Sequence, residues 1–177
     1  MAGARVIEAP PASRGMTSRL LAERDADGAR WLQHFVAQAA RHATVVTAQA
    51  PEGRLAAVRC GEPRVLSGQQ LLVGWTLQAG GDGAEVFEQA THVALNLVSE
   101  RAEWLRGLGE AGHEKFARIA FEFGKGGAPL PECAVATLEC VMHAPERRGG
   151  HAMFIGRALK VRSTTAPAPY QGEIDHV

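Results

Sequence analysis

Apolar positions in this chain change their spacing from segment to segment, and each spacing names an element. Trp31, Leu32, Phe35, Val36 and Ala39 recur at helical intervals, which predicts an amphipathic helix with Asp25 or Asp27 as its cap. Thr44 to Ala48 is β-branched and apolar, and the turn residues 51–54 (PEGR) lead to a second strand from Leu55. The near-continuous run QQLLVGWTL (69–77) is short enough to be a buried strand. AEVFEQA (84–90) reads as a short helix, HVALNLVSE (92–100) as a strand and ERAEWLRGL (100–108) as a further helix. HEKFARIAFEF passes from helical to alternating character, and GKGGAPLPE is a loop. CAVATLECVMH and HAMFIGRALKV are two long strands joined by APERRGG. The closing APAPYQGEIDHV is Pro-rich and extended.

About six or seven strands and three short helices result. Strands follow one another too often for a doubly wound sheet, so the expected fold is mainly β, an antiparallel barrel with peripheral helices. Residues 1–24 carry Arg and Ser with Pro10 and Pro11, and are expected to be a flexible leader to one domain over 25–177. That leader lacks the apolar core of a secretory signal, and no apolar run approaches the ~20 residues of a membrane span. A cytoplasmic protein is expected.

Charge narrows the function classes. Nineteen basic residues balance nineteen acidic ones, without a block of either sign, which argues against an electrostatic nucleic-acid binder. Cys60, Cys133 and Cys140 are odd in number and lack metal-ligand spacing, so neither a disulfide framework nor a thiolate metal site is expected. The seven histidines are scattered, and no pair has the spacing that puts two ligands on one helical face. GLGEAG (107–112) has the glycines of a dinucleotide fingerprint, but it follows a helix where that motif requires a strand. No phosphate loop of the G-x-x-x-x-G-K-[ST] type and no nucleophile elbow is present. His151 follows Gly149 and Gly150 and begins an apolar strand. On spacing alone it is either a turn residue or a group aimed at a ligand.

Five stretches, in order, resemble the flavin reductase-like family of FMN-binding split barrels. ATVVTAQAPEGRLAA is similar to that family's opening strand, turn and strand, and HVALNLVSE to its FAVNVLSE, with Asn96 retained. HEKFARIAFEFGKGGAPLPECAVATLECVM resembles the block DKFxG…PLLxxxxAxLECxV, GGHAMFIGRALKV resembles GDHTIFIGEVxxV, and APAPYQGE the closing PLVYYxGxY. The resemblance runs from about Phe35 to Tyr170.

It implies a homodimer of six-stranded antiparallel barrels that binds FMN or FAD near the interface. It further implies reduction of that flavin by NADH or NADPH, in many members for a partner monooxygenase. His151 matches the histidine that lies where nicotinamide and flavin rings stack, and would orient the nicotinamide or stabilise the reduced flavin. The flavin-contacting segment departs from the family pattern. Val58, Cys60 and Gly61 stand at its Thr and Ser positions, Glu62 at its Phe, and GGDG (80–83) replaces its S-x-T-H. Backbone amides around Gly61, Gly81 and Gly83 can still cradle a flavin, with Arg59 or Arg64 supplying the lost phosphate interaction, although Asp82 would repel a phosphate. Lys115 matches a lysine that approaches ligand phosphate in some members, or else lies exposed on a helix. Tyr170 matches the closing tyrosine beside the site or interface. The alternative is a non-catalytic split-barrel module that has lost or altered flavin binding.

Overall fold

The structure, a computed structural model, describes residues 15–78, 83–108, 112–143, 146–148 and 150–167 of the 177. Its strands are β1 (Thr17–Leu20), β2 (Ala43–Gln49), β3 (Leu55–Cys60), β4 (Arg64–Ser67), β5 (Leu72–Gln78), β6 (His92–Val98), β7 (Phe121–Phe123), β8 (Pro129–Pro131), β9 (Ala134–Met142), β10 (Glu146–Arg148) and β11 (His151–Ser163). The helices are α1 (Ala26–Ala39), α2 (Ala84–Gln89) and α3 (Trp104–Gly107), with tighter 3-10 turns at Gly112–Phe116 and Lys125–Gly127.

Helix α1 forms where its apolar spacing requires one. Asp25 caps it, its carboxylate accepting the Asp27 N–H at 3.0 Å, and Trp31, Leu32, Phe35 and Ala39 are buried along one stripe. The main sheet runs β3-β2-β6-β9-β11-β5-β4, antiparallel throughout, and β3 returns to contact β5, so the sheet curls into a half-barrel. β11 is its spine. β5 and then β1 line one edge of it, and β10 and then β9 line the other.

The barrel interior is filled by alternate residues of these strands: Val46 and Ala48, Val73 and Trp75, Leu95 and Leu97, Leu138 and Cys140, Phe154 and Ala158. Unlike a strand with one wet face, β6 is buried on both sides. Its outer face is covered by Trp104 and Phe116 around α3, and by Ala128 and Leu130 of the β7–β8 hairpin, which explains why 93–98 is apolar at every position but Asn96.

Four strands lay outside the sequence expectation, one of them β10, which lies within the APERRGG link and pairs with the start of β11. Thr17–Leu20, inside the segment expected to be a leader, pairs with Leu20 opposite Lys160 and Thr17 opposite Ser163. β4 pairs with β5 although its residues are exposed or half-buried, and Pro129–Pro131, expected as loop, pairs with β7. Each is a short edge strand whose pairing is set by the backbone of its partner and not by its own side-chain pattern.

Candidate functional site

β5 and β11 are in register with Gly74 opposite Ile155, Thr76 opposite Met153 and Gln78 opposite His151. Alternation then places Thr76, Met153 and His151 on the outer face, while Trp75 and Phe154 stack on each other inside, ring centroids 6.0 Å apart. Gly61, Glu62, Arg64 and Leu66, from the β3–β4 connection and β4, close over that outer face. Together they bound an open cleft of about 270 Å³ lined by Gly61, Glu62, Arg64, Leu66, Gly74, Thr76 and Met153.

Its floor is kept low by Gly74, where a Cβ would stand 3.0 Å from Leu66 Cδ1 and 3.3 Å from Met153 Cε. Leu66 and Met153 are the apolar walls, Thr76 supplies a hydroxyl, and Arg64 and Glu62 supply opposite charges. His151 is exposed and lies two residues along β11 from Met153, roughly 6–7 Å at the strand rise.

The remaining expected residues separate by environment. Val58 and Cys60 pack against the barrel core, so their side chains turn inward, away from the cleft. Burial in that core pushes the Cys60 thiol up to about 12, which keeps it protonated at neutral pH. Arg59 faces the other way and is taken up by Glu100, Nη2 to Oε1 at 2.7 Å. Lys115 is not an exposed helix lysine. It is buried, and its ammonium donates to the Ala57 carbonyl at 3.2 Å, fastening the 112–116 turn to the outer face of β3. That turn and α3 border a second cleft of about 480 Å³, which collects Trp104, Arg106, Lys115 and Arg118 and none of the residues of the first. Gly83 caps α2 with a φ of 87°, a left-handed conformation that suits glycine. Gly81, Asp82 and Tyr170 lie outside the described residues.

Thr76, Met153, Leu66 and Gly74 were not anticipated from the sequence. No motif marks them, because the register between two strands far apart in the chain brings them together.

The model of the flavin reductase like domain matches residues 36–173. The chain belongs to that family. Among curated relatives, a flavin reductase of Pseudomonas putida is 24% identical over 143 residues, covering 79% of this chain and 84% of the relative. An FMN reductase (NADH) of Agrobacterium fabrum is 27% identical over 124 residues, 66% of this chain and 67% of its own. Among solved structures, nitrilotriacetate monooxygenase component B of Mycobacterium thermoresistibile superposes with a TM-score of 0.62 at 19% identity, over 80% of this chain and 78% of that one. The split-barrel fold expected of the family is the fold observed.

The cleft has the donor set a flavin needs. A ring system requires apolar walls and a few placed polar groups, and Leu66, Met153 and Thr76 provide them. A phosphate requires a cation, and Arg64 stands at the same opening. With Gly61 and Gly74 contributing no side chain, backbone and ligand can approach closely.

Proposed function

We propose that this chain reduces FMN or FAD at the expense of NADH or NADPH, in the cleft between β5, β11 and the β3–β4 connection. The observation that carries the reading is the convergence there of two separate family-matched segments. Gly61, Glu62 and Arg64 meet β5 and β11, and His151 stands on the β11 face that also supplies Met153. The names of the relatives support the chemistry, since one is a flavin reductase and another an FMN reductase using NADH.

A bound flavin supplies the hydride-accepting ring. What this chain must do is hold two flat rings face to face and keep them aligned. Leu66 and Met153 would seat one ring against the sheet, and the Thr76 hydroxyl would fix its edge. His151, at the rim, would orient the nicotinamide carboxamide by a hydrogen bond from or to the imidazole. Gly81, Gly83 and Tyr170 are assigned by resemblance to the same neighbourhood, with homodimer formation completing the site. Component B of nitrilotriacetate monooxygenase is a structural neighbour, and delivery of reduced flavin to a monooxygenase in the cytoplasm belongs to the same proposal.

Titration with FMN and FAD, followed by NADH and NADPH oxidation, tests it. Saturable flavin binding and flavin-dependent turnover are expected, and His151→Ala should lower kcat/KM for the nicotinamide nucleotide roughly ten-fold while leaving flavin affinity in place. An unchanged rate would remove His151 from the reaction.

A further inference from the structure

The two apolar walls of the cleft differ in their chemistry. Leu66, 44% exposed, is inert to mild oxidants, whereas Met153 places a thioether at the same opening. Met153 is half-buried, and its side chain lies back along the sheet over Gly74. Its Cε is 3.3 Å from where a Cβ at that glycine would stand, and Leu66 Cδ1 is 3.0 Å from the same point. The thioether end is therefore neither free on the surface nor sealed in the core. It forms part of a wall that is open to solutes.

The other described methionines stand elsewhere. Met142 is packed against the barrel core, Met16 precedes β1, and neither borders either cleft. Thr76 lies directly opposite Met153 in the register of β5 and β11 and is exposed in the same cleft. Such cross-strand partners are about 4.5–5.5 Å apart at Cβ, so an oxygen added to the thioether becomes a new acceptor beside the Thr76 hydroxyl. One added oxygen atom then changes the cleft twice. An apolar wall turns polar and chiral, and the hydroxyl that would meet a ring edge gains a competing partner.

We propose that Met153 is a reversible oxidation site: hydrogen peroxide converts its thioether to the sulfoxide, and the oxidised wall holds a flavin ring more weakly. The weakening rests on the reading of the cleft as the flavin site. A sulfur lone pair attacks one oxygen of the peroxide, the S–O bond forms as the O–O bond breaks, and the departing hydroxide takes up the remaining proton and leaves as water. Sulfur is oxidised by two electrons and the peroxide is reduced by the same two. Dioxygen becomes that peroxide when it takes two electrons and two protons from reduced flavin, so Met153 would lower flavin occupancy when reducing power is being lost to oxygen. A thiol-driven sulfoxide reductase returns the thioether and releases the oxygen as water.

The experiment treats the wild-type chain, Met153→Leu and Met142→Leu with hydrogen peroxide in the absence of flavin. Oxidised positions are mapped by peptide mass spectrometry, and each protein is titrated with FMN before and after treatment. Met153 is expected to gain one oxygen several-fold faster than Met142. FMN affinity should fall roughly ten-fold in the wild-type chain and in Met142→Leu, and methionine sulfoxide reductases acting on both epimers should restore it. Met153→Leu, whatever affinity it starts with, should keep it through the treatment to within about two-fold. Oxidation of Met153 no faster than that of Met142, or full oxidation with FMN affinity intact, would overturn the proposal. So would an equal fall in Met153→Leu, which would point to the exposed thiol of Cys133. A wild-type chain that binds no FMN before treatment would instead overturn the flavin reading, and the peptide map would still decide whether Met153 is the oxidation site.

Discussion

At the scale of single residues, the three thiols separate by environment. Cys60 is pushed up to about 12 from an ordinary 9.0 by burial, and Cys140, fully inside the barrel, is raised further by burial and by the neighbouring Glu139 charge. Cys133 is exposed on the β8–β9 turn. Alkylation by iodoacetamide near pH 8 should therefore modify Cys133 first, with Cys60 and Cys140 protected until the chain unfolds. The same burial has a consequence for stability. A thiol whose native pKa is raised costs nothing below about pH 9, where both states are protonated, and destabilises the native state as pH rises from 9 towards 12. The urea midpoint should fall across that window, and Cys60→Ala should fall less steeply. Parallel profiles for the two proteins would show that Cys60 does not govern the loss. Alternation along β3 made the inward direction of Val58 and Cys60 legible in advance, yet the family comparison drew attention to their lost hydroxyls and not to the face they occupy.

At the scale of elements, the long strands and α1 were legible because their own side chains carry the pattern. β11 buries every second residue up to its irregularity, β9 is buried continuously from Ala136 to Cys140, and α1 buries a stripe. What escaped was whatever depends on a partner: the short strands β1, β4, β8 and β10, and the walls of the cleft, which exist only once β5 and β11 are in register. Register itself has a visible determinant in the middle of the sheet. Asn96 of β6 donates through Nδ2 to the Val45 carbonyl at 3.1 Å and to Thr47 Oγ1 at 3.0 Å on β2. Its Oδ1 accepts from Thr137 Oγ1 of β9 at 3.0 Å. Thr47 in turn donates to the Pro129 carbonyl at 2.6 Å, tying down the hairpin above. All of these side chains are buried, so removing Asn96 strands a hydroxyl and a carbonyl without water to replace the lost partner. Asn96→Ala should destabilise the fold by roughly 2–4 kcal/mol in urea unfolding. A loss below about 1 kcal/mol would mean that apolar packing alone sets this register.

At the scale of the whole molecule, the order of strands in the sheet differs from their order in the chain, and that difference decides what holds the barrel together. β3, β2, β6 and β9 form one continuous set of ladders, but the β4–β5 pair joins it only through β11. The inner wall is then shared across the junction: Trp75 of β5 stacks on Phe154 of β11, and Phe87 of α2 meets Phe154 edge-on. β11 also spans the candidate site, carrying His151 and Met153 at one end and, past the irregularity between Ala158 and Lys160, the β1 ladder at the other. Fold and site therefore share one strand. A chain ending at residue 150 would keep most of its residues and lose the barrel, since β4–β5 would have no partner and the interior faces of β5 and β9 would open to water. Such a chain should show strand content by far-UV circular dichroism, no cooperative urea transition, and binding of a hydrophobic dye. Removal of residues 1–20 makes the opposite case. Among the described residues it deletes the four-residue β1 ladder at the far end of β11, where Leu20 is 68% exposed, together with the Arg19 pairs to Asp25 and Asp27, and a cooperative transition should survive at lower urea concentration. If both truncations unfolded alike, the short β1 ladder would share with β11 the role of closing the sheet.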